Sequence, residues 1–348
     1  MTELVWHGKH IPGRDPSSGQ SGLSLSRLRT QESYSPTPTT EQPLPALSDA
    51  ALPWHNRLIH ADKQALLPVL LEDFANTVNL IYIDPPFMTG RTFTQGNQVA
   101  YRDTWRNSLD HYLQWIYETF IFLHQLLTPD GSLYVHLDWR TAHYAKLLLD
   151  EIFSAQAQTK GAGFKNEIIW HYQSGGRAKK YYARKHDTIL LYTKSAHYCF
   201  HGEQLGEKRG TQKRNHMRKE IGEDGRTFWT IRSGGRVYRY DEDQYMSLPD
   251  VWSDISHLHQ KDPERTGYAT QKPEALLERI LLASSNENDL ILDCFCGSGV
   301  TPIVAERLGR RWIASDQSEQ AISTTRARLL LQQRQRPFLF QHLETSTR

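Results

Sequence analysis

Asp289-Leu290-Ile291-Leu292-Asp293-Cys294-Phe295-Cys296-Gly297-Ser298-Gly299 is the stretch whose reading decides the fold. It opens as an apolar, β-rich run closed by an acid, passes into a glycine-containing turn, and is followed by a helix that Val304 to Leu308 continue. Glycines let the backbone approach a ligand closely, and a helix N-terminus offers unpaired N–H groups. The next strand, Arg311-Trp312-Ile313-Ala314-Ser315-Asp316, again ends in an acid. A carboxylate about twenty residues beyond such a turn can accept hydrogen bonds from ribose hydroxyls. The order strand, glycine turn, helix, strand, acid predicts an α/β fold that holds an adenosine-containing cofactor. A glycine turn alone is weak evidence, and the spacing lacks the G-x-G-x-x-G of dinucleotide sites, which argues against NAD.

Upstream, Val78-Asn79-Leu80-Ile81-Tyr82-Ile83 reads as a buried strand that stops at Asp84-Pro85-Pro86-Phe87. Two successive prolines cannot continue a strand ladder, so the chain turns there and leaves an acid at the strand's carboxyl end, where open α/β sheets bind ligands. The group suits one chemical problem. An exocyclic base amine is a poor nucleophile because its lone pair is delocalised into the ring. A carboxylate and a rigid proline carbonyl can accept its two N–H bonds and turn the lone pair outward, and an aromatic ring can stack on a base taken out of a duplex. The plainer alternative is a buried strand ending in a Pro-Pro loop.

The pattern between and around these motifs is alternating. Strands are expected at Arg57–Asp62, Leu133–Leu137, Glu167–Trp170 and Asp187–Tyr192. Helices are expected at Ala65–Phe74 (with Pro68 displacing the start), Leu109–Leu127 (ended by Thr128-Pro129-Asp130-Gly131), Ala142–Phe153, Pro273–Ala283 and Glu319–Gln333. Residues 1–50, rich in Ser, Thr, Pro, Gly and Gln, read as a disordered or loosely ordered leader. Residues 195–265 lose the alternation and gain basic and aromatic residues, which marks an insert. The two halves of the main domain are then 51–194 and 266–348.

The chain has 348 residues, 38% of them hydrophobic and 23% charged, enough for a large α/β domain plus a smaller unit. A formal net charge of +2 announces no nucleic-acid binder, so any basic surface must be local. Three cysteines without regular spacing argue against a disulfide scaffold and a zinc site, and fit a reducing cytoplasm. No metal is expected. No apolar run could span a bilayer, and no secretion signal is legible.

Together the motifs carry a resemblance. Asp84-Pro85-Pro86-Phe87 resembles the catalytic D/N/S-P-P-Y/F/W motif of amino-group DNA methyltransferases, and Asp293 to Gly299 resembles their cofactor motif. The catalytic motif precedes the cofactor motif with a basic insert between, as in the β group of that family, and the resemblance covers residues 54–334. It implies a Rossmann-like S-adenosylmethionine-dependent methyltransferase fold, circularly permuted, with an inserted target-recognition region and one reversed strand around Asp187–Thr193. It also implies a cofactor site of Asp62 (near adenine), Thr270 and Lys272 (near the methionine part), Asp293, Phe295, Cys296, Gly297, Ser298, Gly299 and Asp316. The catalytic residues would be Asp84, Pro85, Pro86 and Phe87, acting by base flipping and direct in-line transfer, with neither Cys294 nor Cys296 as nucleophile. The sequence departs from the family at Cys294, often proline there, at Val300, commonly threonine, and at Phe87, more often tyrosine.

Lysines and arginines supply phosphate contacts and aromatics stack on bases. A basic stretch is by itself most often a solvated face, but its place in the family's order makes Arg177, Lys179, Lys180, Lys208, Arg209, Lys213, Arg214, Arg218, Lys219, Arg232 and Arg236 the DNA-binding candidates. The expected partner is double-stranded DNA, with a separate restriction endonuclease or defence-system subunit and a homodimer left open. The expected reaction is methylation of adenine N6, the leading aspartate favouring it over N4 of cytosine. RNA or protein-amide methylation, and an inactive DNA-binding regulator, are the more distant rivals.

Overall fold

The computed structural model describes residues 3–12, 25–35, 54–95, 98–105, 108–155, 160–173, 178–206, 208–210, 216–332 and 336–346. The described residues form two compact units, one of Met1–Cys199 with Val251–Arg348 and one of Phe200–Asp250.

In the first unit the chain runs β1 (Leu25–Tyr34), β2 (Asn56–His60), α1 (Lys63–Phe74), β3 (Val78–Ile83), β4 (Arg91–Gln95), β5 (Gln98–Asp103), α2 (Leu109–Leu126), β6 (Leu127–Leu137), α3 (Ala142–Ala155), β7 (Gly163–His171) and β8 (His186–Thr193). The second unit contributes β9 (Arg218–Ile221), β10 (Thr227–Ser233) and β11 (Arg236–Asp241). The first unit then resumes with β12 (Val251–Trp252), α4 (Glu274–Ser284), β13 (Leu290–Asp293), α5 (Val300–Arg307), β14 (Arg311–Asp316), α6 (Glu319–Leu330) and β15 (Phe338–Ser346).

Ten strands make one sheet in the order β1-β15-β2-β14-β13-β3-β6-β8-β7-β12. From β15 to β6 the neighbours are parallel. β3, which leads into Asp84-Pro85-Pro86-Phe87, lies directly beside β13, Ile81 opposite Leu292, although some two hundred residues separate them in the chain. That adjacency is the circular permutation. Strand side chains alternate between faces. Ile81 and Ile83 of β3, with Leu133 and Val135 of β6, pack under α1, α2 and α3. Leu80, Tyr82 and Tyr134 pack on the other face under α4, α5 and α6. Helices on both faces leave the carboxyl edge of the strands as the open side. No helix among the described residues is long and apolar enough to cross a membrane.

Several expectations change. β8 runs antiparallel to β6 and β7, but β1 is also reversed, against β15, so two strands oppose the rest. Part of the presumed leader is ordered, since β1 pairs along β15 and Trp6 is buried against the Tyr117 ring at 5.4 Å. Pro68 sits inside α1 rather than at its start, because the Asp62 carboxylate accepts from the Gln64 N–H at 2.7 Å and caps the helix earlier. Thr128 to Gly131 do not form a turn between helix and strand. They are carried within β6 as an irregularity between Val78↔Leu127 and Leu80↔Ser132.

The second unit is narrower than the 195–265 insert expected. β12 returns to the large sheet beside β7, Trp252 and Ile255 are buried in its core, and the Trp170 indole donates to the Ile255 carbonyl at 2.8 Å. Within Phe200–Asp250, β9, β10 and β11 form a three-stranded antiparallel sheet in the order β11-β10-β9. Trp229 anchors it, fully buried, its indole donating to the Gly210 carbonyl at 3.2 Å. β10 and β11 are joined by Gly234-Gly235, both at positive φ, as a two-residue hairpin with the strands' twist requires.

Candidate active site

Strand β3 ends at Ile83 and delivers Asp84 to the carboxyl edge beside β13. The chain after it is held from outside the motif. The Asp103 carboxylate accepts from the N–H groups of Met88 and Thr89 at 2.9 and 2.7 Å, from the Thr89 hydroxyl at 2.7 Å and from the Trp105 indole at 2.8 Å. The Tyr112 hydroxyl donates to the Pro86 carbonyl at 3.0 Å. Met88 is thereby kept at a φ of 57°, a left-handed conformation that a methionine adopts only under constraint.

Asp84 has one oxygen in use and one spare. Oδ2 pairs with the Lys272 ammonium, whereas Oδ1 is buried and has no hydrogen-bond partner among the described residues. A buried carboxylate oxygen without a partner is costly and marks a place built for a donor that arrives. Phe87 lies beside it, its ring stacked with His136 at 6.2 Å and 24° and the Lys272 ammonium 5.4 Å from its centre. Behind the ring a buried chain runs from the Tyr82 hydroxyl to His136 Nδ1 (2.9 Å) and from His136 Nε2 to Asp187 (3.1 Å), which also accepts from Tyr172 (3.1 Å). Burial pushes the Asp187 carboxyl up, but His136, with Lys272 and the Tyr172 hydroxyl, more than compensates and holds it below the usual carboxylate range.

The glycine turn after β13 is locked by acids at both ends. Asp293 accepts from the Phe295 N–H at 2.9 Å and the Thr301 hydroxyl at 2.5 Å, and burial pushes its carboxyl up to about 7. Asp316, at the end of β14, accepts from the Gly297 N–H at 2.9 Å and the Ser318 N–H at 2.8 Å, and burial raises it too. Gly299, at a φ of 79°, caps α5, and a Cβ there would come within 2.5 Å of the Thr325 side chain. Burial also pushes the Cys294 and Cys296 thiols up, which disfavours a thiolate at either.

One cleft of about 1010 Å³, solvent at its mouth included, joins the two halves. It is lined by Asp62, Asp84, Pro85, Pro86, Phe87, Thr270, Lys272, Asp293, Phe295, Cys296, Gly297, Ser298 and Asp316. Those are all the sequence-predicted catalytic and cofactor residues except Gly299, which lies just behind. The cleft also contains residues the sequence did not single out: Lys63, Asp103, Trp115 and Tyr268. Lys63 is buried, donates to the Trp115 carbonyl at 3.0 Å and to the Thr119 hydroxyl, and lies 4.0 Å from the centre of the Trp115 ring. A charge just past a strand-ending acid was the one available signal for it.

The basic candidates do not form a single group. Arg177, Lys213 and Arg214 lie outside the described residues. Lys179 and Lys180 are exposed in the first unit, in the connection from β7 to β8. In the second unit Lys208 and Arg209 lie against the Tyr245 and Tyr240 rings, and Arg218 is within 4.0 Å of Glu220. Lys219 is exposed on β9, while Arg232 and Arg236 flank the Gly234-Gly235 tip. Among the described residues no group of His, Cys, Asp and Glu is arranged to hold a metal ion.

The model of a family described as DNA methylase matches residues 78–327. The DNA adenine methyltransferase YhdJ of Escherichia coli (strain K12) is 30% identical over 280 residues, 78% of this chain and 82% of that one. The type II methyltransferase M.HpaI of Haemophilus parainfluenzae is 30% identical over 255 residues, 73% of this chain and 68% of that one. Among solved structures, the cytosine-N4-specific PvuII DNA methyltransferase superposes with a TM-score of 0.52 at 18% identity, over 80% of this chain and 88% of that one, a likeness of fold alone.

Proposed function

This chain belongs to the DNA methylase family, and from that premise we propose that it transfers a methyl group from S-adenosylmethionine to N6 of adenine in duplex DNA. The observation that carries the reading is the spare, buried Oδ1 of Asp84 beside the Phe87 ring, in the same cleft as the glycine turn.

The residues present fit the cofactor. Asp316 and the Gly297–Gly299 turn would hold its ribose and the adjoining chain, and Asp62 its adenine. Trp115 and Phe295, ring centres 5.6 Å apart, give the apolar wall that an adenine ring needs. When bound, S-adenosylmethionine supplies an electron-poor methyl that an amine can take in one displacement. The protein's part is to orient and to exclude water. Phe87, backed by His136, stacks on the flipped base. Asp84 Oδ1 accepts one amine N–H and the Pro85 carbonyl the other, which frees the nitrogen lone pair for attack. Lys272 holds the carboxylate through Oδ2, and Asp103 and Tyr112 hold the loop that carries Phe87.

YhdJ, an adenine enzyme by name, supports adenine over cytosine as the target. M.HpaI is a type II methyltransferase by name, and we propose a separate restriction endonuclease as this chain's partner and the cytoplasm as its place. Light scattering of the purified protein decides between monomer and homodimer.

The test is transfer from isotope-labelled S-adenosylmethionine to unmethylated genomic DNA, followed by nucleoside mass spectrometry. N6-methyladenine is expected. N4-methylcytosine would move the base and keep the mechanism, and absence of any labelled nucleoside would overturn the reading. Asp84→Ala should abolish transfer while cofactor affinity stays within about threefold, because the spare oxygen serves the amine and not the cofactor.

A further inference from the structure

An aromatic cluster stands exposed at the same sheet edge as Asp84. Trp139 lies two residues beyond the end of β6, the strand paired with β3. Tyr181 and Tyr182 lie in the connection from β7 to β8, whose base is closed by the Tyr172 N–H donating to the Lys185 carbonyl at 2.9 Å. The Arg184 guanidinium sits 3.7 Å from the centre of the Trp139 ring and 5.1 Å from that of Tyr181, and Arg140 flanks Trp139 at 4.7 Å. Trp139 is 40% exposed, Tyr181 64% and Tyr182 98%. Phe87 touches this region through His136, three residues before Trp139.

Two features give the cluster a partner. A ring left 98% in water contributes nothing to the fold of the free protein, so its value lies in what it meets. The connection from β7 to β8 is also of one sign, although Asp138, next to Trp139, pairs with Arg140. Residues 178–185 contain Lys179, Lys180, Arg184 and Lys185 and no acid, and among the described residues no carboxylate pairs with any of the four. Cations interleaved with stacked aromatics are the chemistry of a nucleic-acid surface.

We propose that this cluster is a second DNA site, distinct from the pocket for the target base. The proposal rests on the reading of duplex DNA as substrate. The lysines meet phosphates and the Trp139–Arg184–Tyr181 stack gives a rigid base. The Tyr182 ring enters the base stack at the position the target leaves. Taking a base out of a duplex costs stacking, and a ring that fills the gap restores part of it.

The experiment compares Tyr182→Ala with Tyr182→Phe in kcat/KM for duplex genomic DNA, with cofactor affinity measured beside it. Tyr182→Ala should lose about tenfold or more, in the range stacked aromatics show on truncation, and Tyr182→Phe should stay within about twofold of wild type. Cofactor affinity should be unchanged in both, as befits an exposed ring. An alanine variant within about twofold of wild type overturns the proposal. So does a phenylalanine variant as impaired as the alanine one, or a loss that follows cofactor affinity. A wild-type protein that labels no duplex DNA overturns the functional reading instead, and this inference with it.

Discussion

At the residue scale the site depends on a few carboxylates and one buried lysine. Asp316 accepts from one backbone N–H of the glycine turn, that of Gly297, and from the Ser318 N–H that follows β14, and it also faces the cleft. Asp316→Ala should therefore weaken S-adenosylmethionine binding by about tenfold or more, measured by calorimetry. Unchanged affinity would remove the ribose assignment. Lys63 carries a pH signature. Burial, only partly offset by Cys294, Asp62 and Glu118, pulls its ammonium from 10.5 down to about 8. Below pH 8 both folded and unfolded chains are protonated there, and the folded state bears the cost of a buried charge. Between about pH 8 and 10.5 the unfolded chain keeps the proton and the folded chain does not, so stability rises with pH in that window. Compared with Lys63→Met, wild type should gain about 3 °C or more in relative Tm between pH 7 and pH 10, and a constant difference would contradict this. Asp84 and Phe87 were legible because a strand closed by Pro-Pro is a local signal. Lys63 and Asp103 were not, since their partners, Trp115 and Thr119 for one and Met88 and Thr89 for the other, are met only after helix and hairpin have packed.

At the element scale, periodicity and punctuation located the helices α1 to α6 and the strands β2, β3, β6, β7, β8, β13 and β14, but not β1, β4, β5, β9 to β12 or β15. The failures share a cause. Thr128-Pro129-Asp130-Gly131 has the composition of a turn, yet it is carried as an irregularity inside β6 because β3 pairs on both sides of it, at Leu127 and from Ser132 on. β12 is two residues long and has no local signal, and it exists because β7 lies open beside it and Trp252 has a core to enter. Gly299, by contrast, was legible and is required. It needs φ near 79° and has no room for a Cβ beside Thr325. Gly299→Ala should destabilise the protein by about 1–3 kcal/mol in chemical denaturation and weaken cofactor binding, through strain and overpacking. A variant as stable as wild type would show that the turn tolerates another conformation.

At the scale of the whole molecule, a net charge of +2 hides local surfaces. In the second unit Arg218, Arg226 and Arg239 have carboxylates within 4.0, 3.9 and 2.9 Å, whereas among the described residues no carboxylate pairs with Arg232 or Arg236 at the hairpin tip. If DNA meets that tip, the pair Arg232→Ala and Arg236→Ala should lower the slope of log affinity against log salt by about 2, one phosphate for each arginine lost. An unchanged slope would move the contact elsewhere. The sequence by itself determined the α/β class, the two motifs at strand ends, their permuted order and the chemistry each can support, because all of these are written in runs of neighbouring residues. The tertiary structure alone decided that Lys272 reaches Asp84 and leaves Oδ1 spare, and that Trp6 and β1 are held by the core. Those follow from burial and pairing between distant segments, whose free energy is absent from any local pattern and is released only when the sheet closes on its helices.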